Sequence, residues 1–155
     1  MKKLIALTVA LVLALAALSA TAEAKPTLED MPGIITEDEN TTIEESVFEG
    51  DWVVDKTFLG EDYVDPNELA AEIKFNFGPI SIGGGIITQE YTENGETRTV
   101  EMPYTLEAGQ LQGKCAENGF EYVVEPLEGG GICYSLYVPD EEQNVTCATI
   151  FMVRK

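Results

Sequence analysis

Twenty-eight carboxylates, three cysteines and no histidine set the chemistry open to this 155-residue chain. Without histidine, no side chain ordinarily titrates near neutral pH, and the Ser–His and Cys–His nucleophile arrangements are out of reach. A catalytic zinc site, which leans on imidazole ligands, is not expected either. Two carboxylates facing one cleft can hydrolyse a glycoside, but with acids this dense a suitable pair arises in any fold. The chain therefore reads as a non-enzyme, with no cofactor and no metal site. Glu37-Asp38-Glu39-Asn40 lacks the D-x-[DN]-x-[DN]-G spacing that wraps a loop around Ca²⁺ and reads as a solvated charge run. Gly83-Gly84-Gly85 and Gly129-Gly130-Gly131 do not precede Lys-Ser/Thr, so they read as bends or bulges rather than phosphate loops.

The elements that would position these groups start late in the chain. Lys2 and Lys3 open it, residues 4–18 are apolar apart from Thr8, and Ala20-Thr21-Ala22 and Ala22-Glu23-Ala24 both read as A-x-A cleavage sites. That is the three-part pattern of a secretory signal peptide, placed at residues 1–24. The alternative, a membrane anchor, fits poorly: the 15-residue run falls short of the ~20 needed to cross a bilayer. No Cys follows the run to accept a lipid, the first being Cys115, so the expected product is soluble and either secreted or periplasmic, without a membrane anchor. The short Lys-Lys start and Ala/Leu-rich core have a bacterial look. Asn40-Thr41-Thr42 and Asn144-Val145-Thr146 match the glycosylation pattern, which matters only in a eukaryotic secretory pathway.

Removal of residues 1–24 leaves 131 residues, enough for one domain, with 7 basic against 27 acidic residues. A net charge near −20 argues against nucleic acid and anionic membranes as partners, because both require Lys and Arg to neutralise phosphates. Residues 25–49 hold eight acids and one Lys, carry Pro26 and Pro32, and show no helical or strand period. They read as a flexible acidic lead-in.

From Gly50 the texture changes. Val100, Met102, Tyr104 and Leu106 alternate with Glu101, Thr105 and Glu107, the period-two pattern of a strand with one buried face. Phe120, Tyr122 and Val124 alternate with Glu121 and Glu125; Ile73, Phe75 and Phe77 alternate with Lys74 and Asn76; Trp52, Val54 and Phe58 do so loosely. Residues 132–138 and 145–153 are apolar on both parities, as strands buried on both sides or at a contact would be. Asn94-Gly95, Ala108-Gly109 and Asn118-Gly119 supply tight turns. One helix is predicted after the first strand, over residues 66–72, from Asp65 as N-cap, Pro66 at N1 and Glu68 at N3. Seven to nine strands with short loops predict an all-β fold over residues 50–155, an antiparallel up-and-down barrel of about eight strands, with a two-sheet sandwich as the alternative.

Three cysteines in an exported chain leave an odd one. If the loop at 139–144 brings Val138 opposite Val145, Cys133 and Cys147 lie three positions out of register, about 10 Å at strand rise. That is beyond disulfide reach without a bulge or a register shift. A single bridge would be Cys133–Cys147, with Cys115 free; the other expectation is three reduced thiols.

Gly50-Asp51-Trp52, Ile73-Lys74-Phe75-Asn76-Phe77-Gly78, Tyr104-Thr105-Leu106-Glu107-Ala108-Gly109-Gln110-Leu111 and the closing residues 148–155 together resemble the small bacterial lipocalin-like domains. In that family the elements are G-x-W, F-N-x-G, a Y-x-L-x-x-G-x-L hairpin and a final strand, here spread over residues 50–155. The T-D-Y element of larger lipocalins is absent, and residues 60–72 form an insertion. The resemblance implies that Trp52 packs across the barrel base under Arg154, through a cation–π contact. It also implies carriage of a small hydrophobic ligand among interior residues Trp52, Phe75, Phe77, Tyr104, Tyr122 and Phe151, positions that core packing explains as well. The alternative function is a protein-interaction module, either an inhibitor of an exported enzyme or a component of a surface assembly.

Overall fold

A computed structural model describes residues 24–73, 78–93, 96–117 and 119–155. The signal-peptide reading, Phe75, Phe77 and the Asn94-Gly95 turn thus lie outside the described residues, apart from Ala24 of the former. Nine antiparallel strands run β1 (Gly50–Leu59), β2 (Asp62–Val64), β3 (Ile80–Gly83), β4 (Ile86–Glu93), β5 (Glu96–Glu107), β6 (Gln110–Lys114), β7 (Glu121–Pro126), β8 (Ile132–Pro139) and β9 (Val145–Arg154). Each of β3 to β8 pairs with the next, β1 pairs with β3, and β1 also pairs with β9, which closes an eight-stranded barrel. The extra strand is β2, which pairs only with Thr57–Leu59 at the end of β1.

Alternation decides the inner face. Ile80, Ile82, Ile87, Val100, Met102, Leu111, Tyr122, Val124, Ile132, Tyr134, Leu136, Ala148, Ile150 and Met152 point inward and are buried. In β1 the alternation slips. The pairing jumps from Val54↔Met152 to Lys56↔Phe151, so Asp55 is an extra residue, a β-bulge. Trp52 and Val54 face in, but Phe58 faces out, correcting the expectation that it shares their side.

Tight turns need positive φ. Between β5 and β6 it falls on Ala108 (50°) and Gly109 (74°), and between β3 and β4 on Gly84 (61°) and Gly85 (80°). Of the Gly83-Gly84-Gly85 run, Gly83 ends β3 and Gly84-Gly85 form a two-residue hairpin turn, the bend of the two expected alternatives.

Helix α1 (Pro66–Ile73) follows β2, not the first strand directly, and Asp65 Oδ1 accepts the Asn67 backbone N–H at 2.8 Å. Its Leu69 is buried against the inner core. Ile73, read as the start of a strand, ends this helix, and the next described strand begins at Ile80.

Residues 25–49 are structured, which corrects the flexible reading. Ile35 N–H donates to Pro126 O at 2.8 Å, Glu128 N–H to Gly33 O at 2.9 Å, and Ile34 bridges Leu127. Ile43 and Phe48 join the inner core. The few apolar residues of this segment are anchors spaced for an extended strap, so they leave no period in the sequence.

Candidate functional site

The inner wall is packed. Tyr122 and Tyr134 stack with ring centroids 5.4 Å apart and planes 20° from parallel. The Tyr122 hydroxyl donates to Pro103 O at 2.9 Å, over Gly113, where a Cβ would lie 2.3 Å from the Tyr122 hydroxyl oxygen. Only glycine leaves room for this ring. Burial pushes both phenols above their ordinary pKa. Gln89, opposite Ile80 on β3 and Val100 on β5, is 0% exposed, and neither of its amide atoms has a hydrogen-bond partner among the described residues. Leaving such a group unpaired costs about 1–3 kcal/mol.

One end of the barrel is sealed by the strap. Trp52 Nε1–H donates to Phe48 O at 2.8 Å, and the Arg154 guanidinium carbon lies 4.4 Å from the Trp52 ring centroid. Arg154 also donates from Nη1 to Glu49 O at 2.7 Å and from Nη2 to Val47 O at 3.1 Å. A Cβ on Gly50 (φ 128°) would sit 2.6 Å from that Nη1, so the strap joins the barrel through a position only glycine fills. The Tyr104 hydroxyl donates to Glu45 Oε1 at 2.5 Å. Desolvation, and then that bond, push its pKa up to about 12.

The residues expected to line a ligand cavity are thereby dispersed. Trp52 and Tyr122 face in but are 1% exposed, and Tyr104 sits half-buried under the strap. Phe151 is not interior. It points outward into a second cluster with Phe58, Leu127 and Cys133, against Leu28, Met31 and Tyr63. Its strand is apolar on both sides, and sequence parity alone left the inward side open.

All three cysteines are free. The observed register pairs Pro139 with Val145, one residue from the expected pairing, so Cys133 lies opposite Phe151 and Cys147 opposite Tyr137. Cys133 and Cys147 share the outer face four positions apart, about 13 Å, and the predicted bridge does not form. Burial pushes the Cys133 thiol up to about 11. Cys115 is buried at the inner core.

An open groove of about 430 Å³ lies on the other side of the wall. It runs over the outside of β5–β8, lined by Thr105, Gln112, Lys114, Glu121, Val123 and Tyr137, with Gly113 and Tyr122 beneath. Lys114 Nζ is 3.9 Å from Glu121 Oε1, a loose exposed pair. Gln110 Nε2 donates to Glu125 Oε1 at 2.5 Å, and Gln112 Nε2 reaches Gln110 Oε1 at 3.4 Å. Partial burial raises the Glu125 pKa, and the Gln110 bond opposes that rise. Sequence reasoning passed over these residues because outward parity reads as solvent-facing. Their one signal was a Tyr on the outward side of a strand.

Among the described residues no group of three carboxylates or thiols is placed to hold a metal ion. The chain matches no family model, no curated protein and no solved structure.

Proposed function

We propose that this protein is an exported, soluble, non-enzymatic barrel that works as an interaction module, engaging a large partner through the outer face of β5–β8. One contrast carries the reading: the described inner side chains are packed, while the open groove of about 430 Å³ lies outside. That volume is in the range of functional clefts. Export rests on the Lys-Lys start, apolar run and A-x-A sites of residues 1–24.

Carriage of a small hydrophobic ligand, as the lipocalin-like resemblance implies, has one observation in its favour. Gln89 presents to the largely apolar interior an amide with no partner among the described residues, which a ligand head group would satisfy. It requires the inner wall to open.

Photo-crosslinking distinguishes the two. A benzophenone amino acid at position 137, in the exporting cell, is expected to give a high-mass adduct that the same probe at exposed position 96 does not. No adduct from position 137, with stoichiometric uptake of a fluorescent lipophile by the purified protein, returns the function to ligand carriage.

A further inference from the structure

The groove itself narrows the chemistry of the partner, on the premise that the outer face is the working surface. Tyr137 is 38% exposed, on a sheet that fixes its position between Glu121 on β7 and Cys147 on β9. An aromatic ring held this way is a binding platform of low conformational cost. Around it stand an amide (Gln112), a hydroxyl (Thr105), an ammonium (Lys114) and a carboxylate (Glu121), so the rim offers both donors and acceptors.

Each common class of partner meets a different obstacle or fit here. A lipid tail or apolar helix would strip water from Lys114, Glu121 and Gln112 without replacing their hydrogen bonds. An extended peptide gains most of its affinity by adding to an open sheet edge. The strands under the groove are paired on both sides within the closed barrel. Anionic polymers are repelled by a chain with formal charge −19. A cationic partner would be drawn to the eight acids of residues 25–49 rather than to a groove where Lys114 and Glu121 cancel.

A neutral sugar chain fits on both counts. Its C–H faces stack on an aromatic ring, and its vicinal hydroxyls each donate and accept, matching an amide beside a carboxylate and an ammonium. The groove crosses four strands, a span of about 14 Å at sheet spacing. That is longer than one sugar ring and suits a chain rather than a monosaccharide. We infer that the groove over β5–β8 binds a neutral polysaccharide, with Tyr137 as the stacking platform and Thr105, Gln112, Lys114 and Glu121 as the hydroxyl-binding rim.

Affinity electrophoresis of the exported protein tests this, in native gels containing β-glucan, xylan, galactomannan or starch one at a time. At least one of these neutral polymers is expected to retard the protein, while polygalacturonate, which is acidic, does not. Tyr137→Ala should weaken the retardation at least about tenfold and Gln112→Ala by a smaller factor, whereas Tyr137→Phe retains it. An unchanged unfolding midpoint shows that each variant is folded. Unretarded migration of the wild-type chain in all four neutral polymers overturns the inference, as does equal retardation of wild type and Tyr137→Ala. A crosslink from position 137 to a protein, without retardation, removes the polysaccharide and keeps the outer-face reading. Absence of both removes the two together.

Discussion

On one side of the barrel Phe58, Cys133 and Phe151 point outward beneath Leu28, Met31 and Leu127; on the other, Thr105, Gln112, Val123 and Tyr137 point outward and form an open groove. Both are outer faces of the same closed sheet. They differ in whether the chain's own lead-in covers them. Where large apolar side chains leave the barrel, the protein uses residues 25–49 to exclude water, because an uncovered apolar patch invites aggregation. Where the strap does not run, the outward residues are mixed polar and aromatic and tolerate water. The acidic lead-in is thus a cover for one half and the Trp52 end, and the other half is left bare.

The largest test of this contrast is truncation in each half. Phe151→Ala should cost about 3–5 kcal/mol in denaturant unfolding, as a buried aromatic does. Tyr137→Ala should stay within about 0.5 kcal/mol, as exposed positions do. Equal losses would erase the distinction between the halves. Next in size, replacing Leu28 and Met31 together by Ala should cost roughly 2 kcal/mol, since each is only partly buried. The same double variant should speed labelling of Cys133 by a thiol reagent.

In the intact protein Cys147 and Cys133 should label in a set order. Burial holds the Cys133 thiol near 11, so at pH 8 half-buried Cys147 should react well before it. Mass spectrometry of the non-reduced protein should find no Cys133–Cys147 bridge. Simultaneous labelling would mean that the strap leaves its half of the sheet uncovered.

The smallest effect concerns Glu125, whose partner Gln110 is in turn bonded to Gln112 of the groove. Burial raises its pKa above 4.5 in the folded chain, so its stability contribution is full below pH 4.5 and is lost as pH rises through the folded value. Glu125→Gln should raise the unfolding midpoint slightly at pH 7 and leave it unchanged at pH 4. A gain that grows on acidification would mean the Gln110 bond, not burial, governs this carboxylate.

Much of the barrel was legible because alternation and turn chemistry are local. Val100 and Met102 fall on the inner face and Glu101 on the outer, and Ala108-Gly109 turns the chain as its residue types require. The both-sided apolar pattern of β8 and β9 implied either burial on both sides or a contact. It did not say that Leu28 and Met31 pack against the outer side, because contacts so far apart in sequence leave no periodic trace. Phe58 was misplaced by a single extra residue at Asp55, and the Cys133–Cys147 register by one position at Pro139. In a sheet of period two, one residue exchanges inside for outside. The groove was not legible at all: Gln112, Lys114, Glu121 and Tyr137 lie on three strands and have nothing in common until the sheet sets them side by side.

The amino-acid sequence alone determined the all-β class, the packed parity of its strands, the hairpin turns and the absence of histidine chemistry. Each of these depends on residues within a few positions of one another. Tertiary structure alone decided that the acidic lead-in is a strap, that Arg154 reaches back to Trp52 and the strap carbonyls, that the three thiols stay unbridged and that Thr105, Gln112, Val123 and Tyr137 share an open groove on the outer face. Those outcomes follow from barrel closure, which joins β1 to β9 across about a hundred residues and fixes by register which side chains meet.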